Sequence, residues 1–147
     1  RPDDSISRVE FIHILGTMNR WNIHDGQGIK HFDDILKDEW PLISRANKLG
    51  IVPQEMTPNN MLSPNKPITR EEAFAILNRY YGTSGKTTNY KPLYEFKDCL
   101  EISDWAAGDV QNMYSNGFIY GNNGYINPKG EMSRAEALSI LKRMYAF

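Results

Sequence analysis

One short phrase, written three times, constrains the fold of this chain more than any other feature. A Ser or Thr is followed by Arg, a variable residue and Glu at residues 7–10, 69–72 and 133–136. A proline precedes each of the three phrases by the same distance. Regularly spaced self-similarity is the signature of a protein built from related structural units. The sequence therefore predicts three related units within one chain.

Each phrase has the pattern of a helix N-terminus. A Ser or Thr N-cap with a Glu three residues later forms a capping box, in which each side chain binds a backbone amide that would otherwise be unpaired. The predicted cap residues are Ser7 with Glu10, Thr69 with Glu72, and Ser133 with Glu136.

Apolar residues follow each cap at helical spacing, so we expect three amphipathic helices whose apolar faces pack on one another. These faces comprise Phe11, Ile12, Leu15 and Met18, then Ala73, Phe74, Leu77 and Tyr80, then Ala137, Leu138, Leu141 and Met144. Gly16 and Gly82 are expected to mark the ends of the first two helices.

A second element occurs twice, at residues 32–52 and 96–119. Both stretches begin with Phe-x-Asp, continue to a Trp and end on a Gly between apolar or Asn neighbours. Helix stop signals of this kind predict two shorter helices. These helices contain Trp40 and Trp105 and are stopped by Gly50 and Gly117. The segments between the elements are rich in Pro, Asn and Gly, which predicts loops with at most a short extended pairing.

The two elements together divide the chain into repeats at residues 1–29, 30–85 and 86–147. The first repeat contains only the motif helix and its preceding Pro, so we expect the chain to begin inside a repeat. One face would then lack a neighbour and at most two ligand sites would be complete. Self-association through the incomplete first repeat is one way to cover that face.

Composition narrows the classes of function. The chain has 147 residues, enough for one domain with a core of its own, and a formal net charge of −1. No global field attracts nucleic acid or anionic lipid, so any anion site must be local. No apolar run is long enough for a membrane span. The single Cys99 cannot form an internal disulfide and says little about compartment.

The arginine in each phrase needs an explanation of its own. Arg at the first helical position adds nothing to a capping box and is mildly unfavourable at the positive end of the helix dipole. One interpretation is that it pairs with a neighbouring carboxylate, such as Asp34 or Asp98, and holds one repeat to the next. The other is an anion site, in which guanidinium and helix-start amides bind a carboxylate or phosphate. The residues alone leave both open.

These features resemble the S-layer homology domain, a family whose hallmark is Thr-Arg-Ala-Glu at the start of a central helix. The sequences "ISRVE", "ITREE" and "MSRAE" look like three versions of that motif, and the Phe-x-Asp, Trp, Gly and Pro positions match the family pattern over nearly the whole chain. The resemblance implies an all-α, pseudo-three-fold spindle. Three central motif helices would be surrounded by short prong helices joined by long loops.

In function, the resemblance implies a non-catalytic anchor that binds secondary cell-wall polysaccharide, often carrying pyruvylated N-acetylmannosamine, in grooves between repeats. The location implied is the cell wall or S-layer of a Gram-positive bacterium. The ligand-binding residues implied are Arg8, Arg70 and Arg134 for the ketal carboxylate, with Trp40, Trp105, Gly50 and Gly117 as further candidates, although core and cap roles compete for these four. Departures at Glu71 and Pro53 predict an altered groove in the second repeat.

The same residues allow alternative functions. A structural or protein-interaction repeat, and direct binding of peptidoglycan, remain open. His24 and His31 flank a polar loop, but their spacing fits no tight metal site, so we expect no metal and no cofactor. Carboxylates such as Asp33 and Asp34 fall at caps and turns and do not form a separated acid and nucleophile, so we expect no enzyme activity.

Overall fold

The computed structural model describes residues 1–23, 28–82 and 89–146, and His24 lies outside them. The chain forms α-helices joined by loops and short 3-10 turns. The helices are α1 (Arg8–Met18), α2 (Trp40–Lys48), α3 (Arg70–Tyr81), α4 (Asp104–Ser115) and α5 (Arg134–Tyr145). Extended pairing in the described ranges is confined to isolated bridges, of which Asn122–Tyr125 lies within the predicted loop. The predicted helical class is confirmed.

The three motif helices begin where the phrases predict. Ser7, Thr69 and Ser133 are the N-caps, and each side-chain oxygen accepts the backbone amide three residues later, at 3.2, 3.3 and 3.1 Å. In α1 and α3 the reciprocal bond from the Glu side chain to the cap amide is also present. In α5 the Glu136 carboxylate binds an arginine of another repeat.

The segments before the motif helices form a closed ring of backbone hydrogen bonds. The amide of Ile6 donates to Met132 O at 3.0 Å, Met132 donates to Ile68 O at 3.1 Å, and Ile68 donates to Ile6 O at 2.9 Å. All three side chains are fully buried. The ring needs all three segments, because each segment donates a backbone hydrogen bond to one neighbour and accepts one from the other. The outer spindle shape stays a prediction.

The prong helices pack on motif helices of the preceding repeat. The most extensive helix contacts join α3 to α4 and α1 to α2. The sequence predicted that α1 ends at Gly16, but the helix continues to Met18. A Cβ at Gly16 would lie 2.7 Å from the Trp21 ring, so this glycine allows close packing instead. Gly82 does end α3, with φ of 62°.

The predicted burial of the third motif helix is wrong at one position. Leu138 of α5 is 42% exposed, whereas the equivalent Ile12 and Phe74 are fully buried. In α1 and α3 the equivalent face is covered because α2 and α4 pack alongside. No prong helix of the described chain makes a comparable contact with α5.

Gly50 and Gly117 terminate α2 and α4 in left-handed conformations, with φ of 69° and 77°. The amide of Gly50 donates to Asn47 O at 3.0 Å, and that of Gly117 to Tyr114 O at 3.0 Å. The next amide in each case reaches back five residues, which is the Schellman pattern of a helix end. Both glycine amides are thereby engaged in caps.

Candidate functional site

The three motif arginines form ion pairs that run around the ring of repeats. Each arginine contacts the capping glutamate of the next copy, and the third closes on the first. The pairs are Arg8 with Glu72, Arg70 with Glu136 and Arg134 with Glu10. The suggested partners Asp34 and Asp98 are therefore wrong, although the idea that arginine joins one repeat to the next describes these contacts.

Asp34 and Asp98 instead fix the loops that precede the motif helices. The two carboxylate oxygens of each aspartate accept two consecutive backbone amides, a strong arrangement because the acceptor is charged. The donors are Leu62 at 2.9 Å and Ser63 at 2.7 Å for Asp34, and Ile126 at 2.9 Å and Asn127 at 2.8 Å for Asp98. The aspartate of Phe-x-Asp thus positions a carbonyl group beside the arginine of the preceding repeat: Leu62 O beside Arg8, and Ile126 O beside Arg70.

Arg8 is enclosed and fully engaged. It is 4% exposed, and its Nη1 donates to Met56 O at 2.9 Å and to Leu62 O at 2.7 Å. Its Nε and Nη2 bind the Glu72 carboxylate at 3.4 and 2.5 Å. A ligand would have to displace these partners, so the geometry gives Arg8 a structural part. A ligand role for it stays a prediction.

Arg70 is held in a similar way but is left partly open. Nε donates to Ile126 O at 3.0 Å and Nη1 contacts Glu136, while none of the described residues accepts a hydrogen bond from Nη2. Burial lowers the pKa of Arg70, and the negative charge of Asp98 opposes that shift. A partly desolvated cation with a free donor edge favours an additional oxygen ligand.

The difference between the two arginines comes from the loops beside them. At Arg8 the loop folds into two 3-10 turns, Gln54–Met56 and Pro58–Asn60, and Met56 is buried against the guanidinium. At Arg70 the corresponding loop, between Gly117 and Ile126, instead lines the open space with Tyr120, which is 59% exposed. The Met56 loop closes its site, and the Tyr120 loop leaves one open.

The open space beside Arg70 is a groove, named here the Arg70 groove. Its volume is about 510 Å³, and a neighbouring cavity of about 320 Å³ shares Arg70, Tyr120 and Glu136 with it. The larger space is lined by Arg70, Asp98, Glu101, Tyr120, Gly121, Asn122, Tyr125, Ile126, Asn127 and Glu136. Polar groups and two exposed tyrosines therefore surround one arginine, which is a combination suited to a sugar.

The tyrosines of the Arg70 groove are residues that the sequence reasoning missed. Tyr120 and Tyr125 flank a tight turn in which Asn122 and Tyr125 exchange backbone hydrogen bonds of 2.8 and 3.0 Å. The available signal was the pair of tyrosines at the two ends of "YGNNGY". Gly121 is required there, because a Cβ would lie 2.4 Å from the Phe96 ring.

Arg134 faces a different environment. Its side chain is 35% exposed, and its partner Glu10 lines a cavity of about 380 Å³ that also contains Asp38 and Glu39. Burial raises the pKa of Glu10, but hydrogen bonds from Arg134 and Ser7 outweigh it and lower the pKa overall. This cavity and the Arg70 groove each contain three acids, but no arginine or lysine is among the described residues that line this cavity, so it is less favourable for an anion.

The remaining predicted ligand residues lie outside the lining of the Arg70 groove. Trp40 and Trp105 are half-buried against the hydrophobic core.

His31 contacts Ser44 and Asn47, and no group of three or more metal-binding side chains occurs in the part of the chain that the structure describes. None of the described helices is long and apolar enough to span a membrane.

The fold and the groove define a repeat-built helical binding module. The S-layer homology domain model matches residues 31–74 and 95–138, so the chain belongs to that family. Each match runs from Phe-x-Asp through the start of a motif helix. The Arg8 copy of the motif lies outside the matched residues.

The chain is also similar to parts of longer enzymes. It is 33% identical over 147 residues to an amylopullulanase of Thermoanaerobacterium thermosulfurigenes and 35% identical over 145 residues to exoglucanase XynX of Acetivibrio thermocellus. It is 26% identical over 145 residues to an endoglucanase of Bacillus sp. (strain KSM-635). These matches cover 95%, 95% and 97% of this chain but 8%, 13% and 15% of the relatives.

Family membership and the small share of each enzyme that is matched support a cell-wall anchoring module at the cell surface. S-layer homology domains bind cell-wall polysaccharide, which gives the kind of partner. A non-catalytic domain is consistent with matches that cover so little of each enzyme.

Proposed function

We propose that this chain is a non-catalytic anchor that binds a secondary cell-wall polysaccharide in the Arg70 groove and so attaches a larger exported protein to a Gram-positive wall. The observation that carries the proposal is the contrast between Arg8 and Arg70. Two arginines at equivalent positions share the same type of ion pair, yet only Arg70 has an open edge and exposed tyrosines beside it.

The favoured ligand is a pyruvylated sugar, because its ketal carboxylate matches the free Nη2 edge of Arg70. The three acids in the lining restrict where such a group can bind. Asp98 has both oxygens engaged by backbone amides, Glu136 already contacts Arg70, and Glu101 is exposed, so solvent screens its repulsion of an anion. The carboxylate would therefore approach Nη2, on the side away from Glu136, with the sugar ring against Tyr120 or Tyr125.

A binding assay on cell-wall sacculi tests the proposed function. Sacculi that retain their polysaccharide should sediment the protein, and sacculi stripped of that polymer should not. Equal binding to both preparations would reject the polysaccharide as the ligand and would favour direct binding to peptidoglycan.

Two variants separate ligand binding from a purely structural role of the arginine. Arg70→Gln and Glu136→Gln each break the same ion pair, so a structural role predicts the same loss of stability and of sedimentation in both. The binding proposal predicts that Arg70→Gln loses sedimentation while Glu136→Gln keeps it, because the guanidinium remains and one competing carboxylate is gone.

A further inference from the structure

Another cavity has none of the motif arginines among its described lining residues, and its charged lining residues are basic, whereas those of the Arg70 groove are mostly acidic. It has a volume of about 420 Å³ and lies between the end of α1 and the outer side of α2. We name it the Arg20 pocket. Its lining residues are Asn19, Arg20, Trp21, Asn22, Gly28, Pro41, Ser44, Arg45, Lys48 and Tyr80.

Three cations line the Arg20 pocket, and none of the described lining residues is an acid. Arg20 follows α1, while Arg45 and Lys48 both lie in the last turn of α2. None of the three forms an ion pair with the described residues, and no Asp or Glu is among the described lining residues. A local excess of positive charge on a chain with a net charge of −1 is the electrostatic pattern of an anion site.

The backbone at Arg20 is a second, independent observation. Arg20 has φ of 57°, a left-handed conformation that costs a residue with a Cβ about 1–2 kcal/mol. The equivalent position after α3 is Gly82, which adopts φ of 62° without that penalty. The helix end at residue 20 would thus be more favourable with glycine, and the arginine side chain needs another explanation. Backbone outliers of this kind are concentrated at functional sites.

The helix dipole explains part of the pattern but not all of it. Arg45 and Lys48 lie in the last turn of α2, where positive charge is favourable by about 0.3–1 kcal/mol. The dipole of α1 would stabilise the positive charge of Arg20 by an amount no larger than the backbone cost at that residue. It also does not account for cations from two different elements lining one cavity.

We infer that the Arg20 pocket binds a phosphate group, with Arg20, Arg45 and Lys48 supplying charge-assisted hydrogen bonds. Two guanidinium groups and an ammonium group suit an oxyanion with several acceptor oxygens. The polar side chains of Asn19 and Ser44 line the same space, although both already have hydrogen-bond partners within the protein. The source is either free phosphate or the phosphodiesters of a wall polymer, and the site is separate from the Arg70 groove.

Titration calorimetry at low salt tests this inference with inorganic phosphate and with a soluble glycerol-phosphate oligomer as probes. Arg20→Gly and Arg45→Gln should each weaken phosphate binding at least about ten-fold, the effect of losing one charge-assisted hydrogen bond. Lys142→Gln on α5 removes the same charge outside the pocket and should change affinity less than two-fold. Amide chemical shifts should move at residues 19–22 and 44–48.

Arg20→Gly carries a built-in control for folding. Because it relieves the left-handed backbone, it should leave the melting temperature unchanged or higher while it weakens phosphate binding. A lower melting temperature together with unchanged phosphate affinity would mean that Arg20 is structural, and the inference would fail.

The two probes distinguish the sources of phosphate. Tighter binding of the oligomer than of phosphate supports a polymer, and equal affinity per phosphate supports the free anion. Three outcomes overturn the inference: no saturable phosphate binding by the wild-type chain, an equal loss in Lys142→Gln, or binding of a uronate oligomer but of neither phosphate probe.

Discussion

The buried pair of Arg8 and Glu72 should dominate the stability of the motif ring. Arg8→Met keeps most of the side-chain volume but leaves the Glu72 carboxylate, 7% exposed, without its cation. It also leaves the carbonyl groups of Met56 and Leu62 without their guanidinium donor. Breaking a buried pair from one side costs about 3–5 kcal/mol, because the remaining charge stays desolvated.

The equivalent pair at the surface is the matched control. The side chains of Arg134 and Glu10 are 35% and 40% exposed, so solvent screens their interaction. Arg134→Met should therefore cost about 1 kcal/mol or less. The same substitution at equivalent positions of the ring should thus change the free energy of unfolding by amounts that differ at least three-fold.

Urea denaturation followed by circular dichroism measures the free energy of unfolding of both variants. At about 2–4 °C per kcal/mol for a chain of this size, Arg8→Met should also lower the Tm by roughly 10 °C. The double variant Arg8→Met with Glu72→Gln should recover part of the loss, since no uncompensated charge remains. The reasoning is refuted if Arg8→Met and Arg134→Met cost the same within about 1 kcal/mol.

Three smaller perturbations test other parts of the ring. The pKa of Glu10 is held below its ordinary value of 4.5, so its contribution to stability is present above pH 4.5 and is lost as the pH falls through the lowered pKa. Glu10→Gln should accordingly lower the free energy of unfolding at neutral pH. Urea denaturation at a series of pH values should show that the difference in this free energy between the variant and the wild type becomes smaller below pH 4.5. Ser133→Ala removes the N-cap of α5 and should lower the free energy of unfolding by about 1 kcal/mol, whereas no measurable loss would argue against the cap. Gly117→Ala places a Cβ at φ of 77° and should cost about 1 kcal/mol in the same assay, with a neutral result contradicting the left-handed helix end.

Local features of the fold could be predicted because they depend on neighbours in the sequence. The caps at Ser7 and Thr69 and the helix ends at Gly50 and Gly117 follow from residues within one turn. Gly16 was misjudged because a glycine inside a helix looks the same in sequence as one that ends it. Its neighbour Trp21 decides the matter by packing against it.

Contacts between repeats could not be predicted from the sequence in the same way. The partner of Arg8 is Glu72, and a linear reading cannot choose between that carboxylate and Asp34 because both are distant in sequence. Whether the site beside a motif arginine is open depends on the neighbouring loop. That loop places Met56 against Arg8 and Tyr120 in the lining of the open groove beside Arg70. The exposure of Leu138 depends on which helix packs alongside α5, which is also a tertiary property.

The affinity of the chain for matched glycan fragments with and without the ketal carboxylate tests the central claim most directly. Wild-type protein should lose about 1.5–3 kcal/mol when the carboxylate is removed, which is roughly a ten- to hundred-fold weaker Kd. Arg70→Gln should bind both fragments equally weakly, and Glu136→Gln should retain the preference for the pyruvylated fragment. Equal affinity of the wild-type protein for the two fragments would contradict carboxylate recognition in the Arg70 groove.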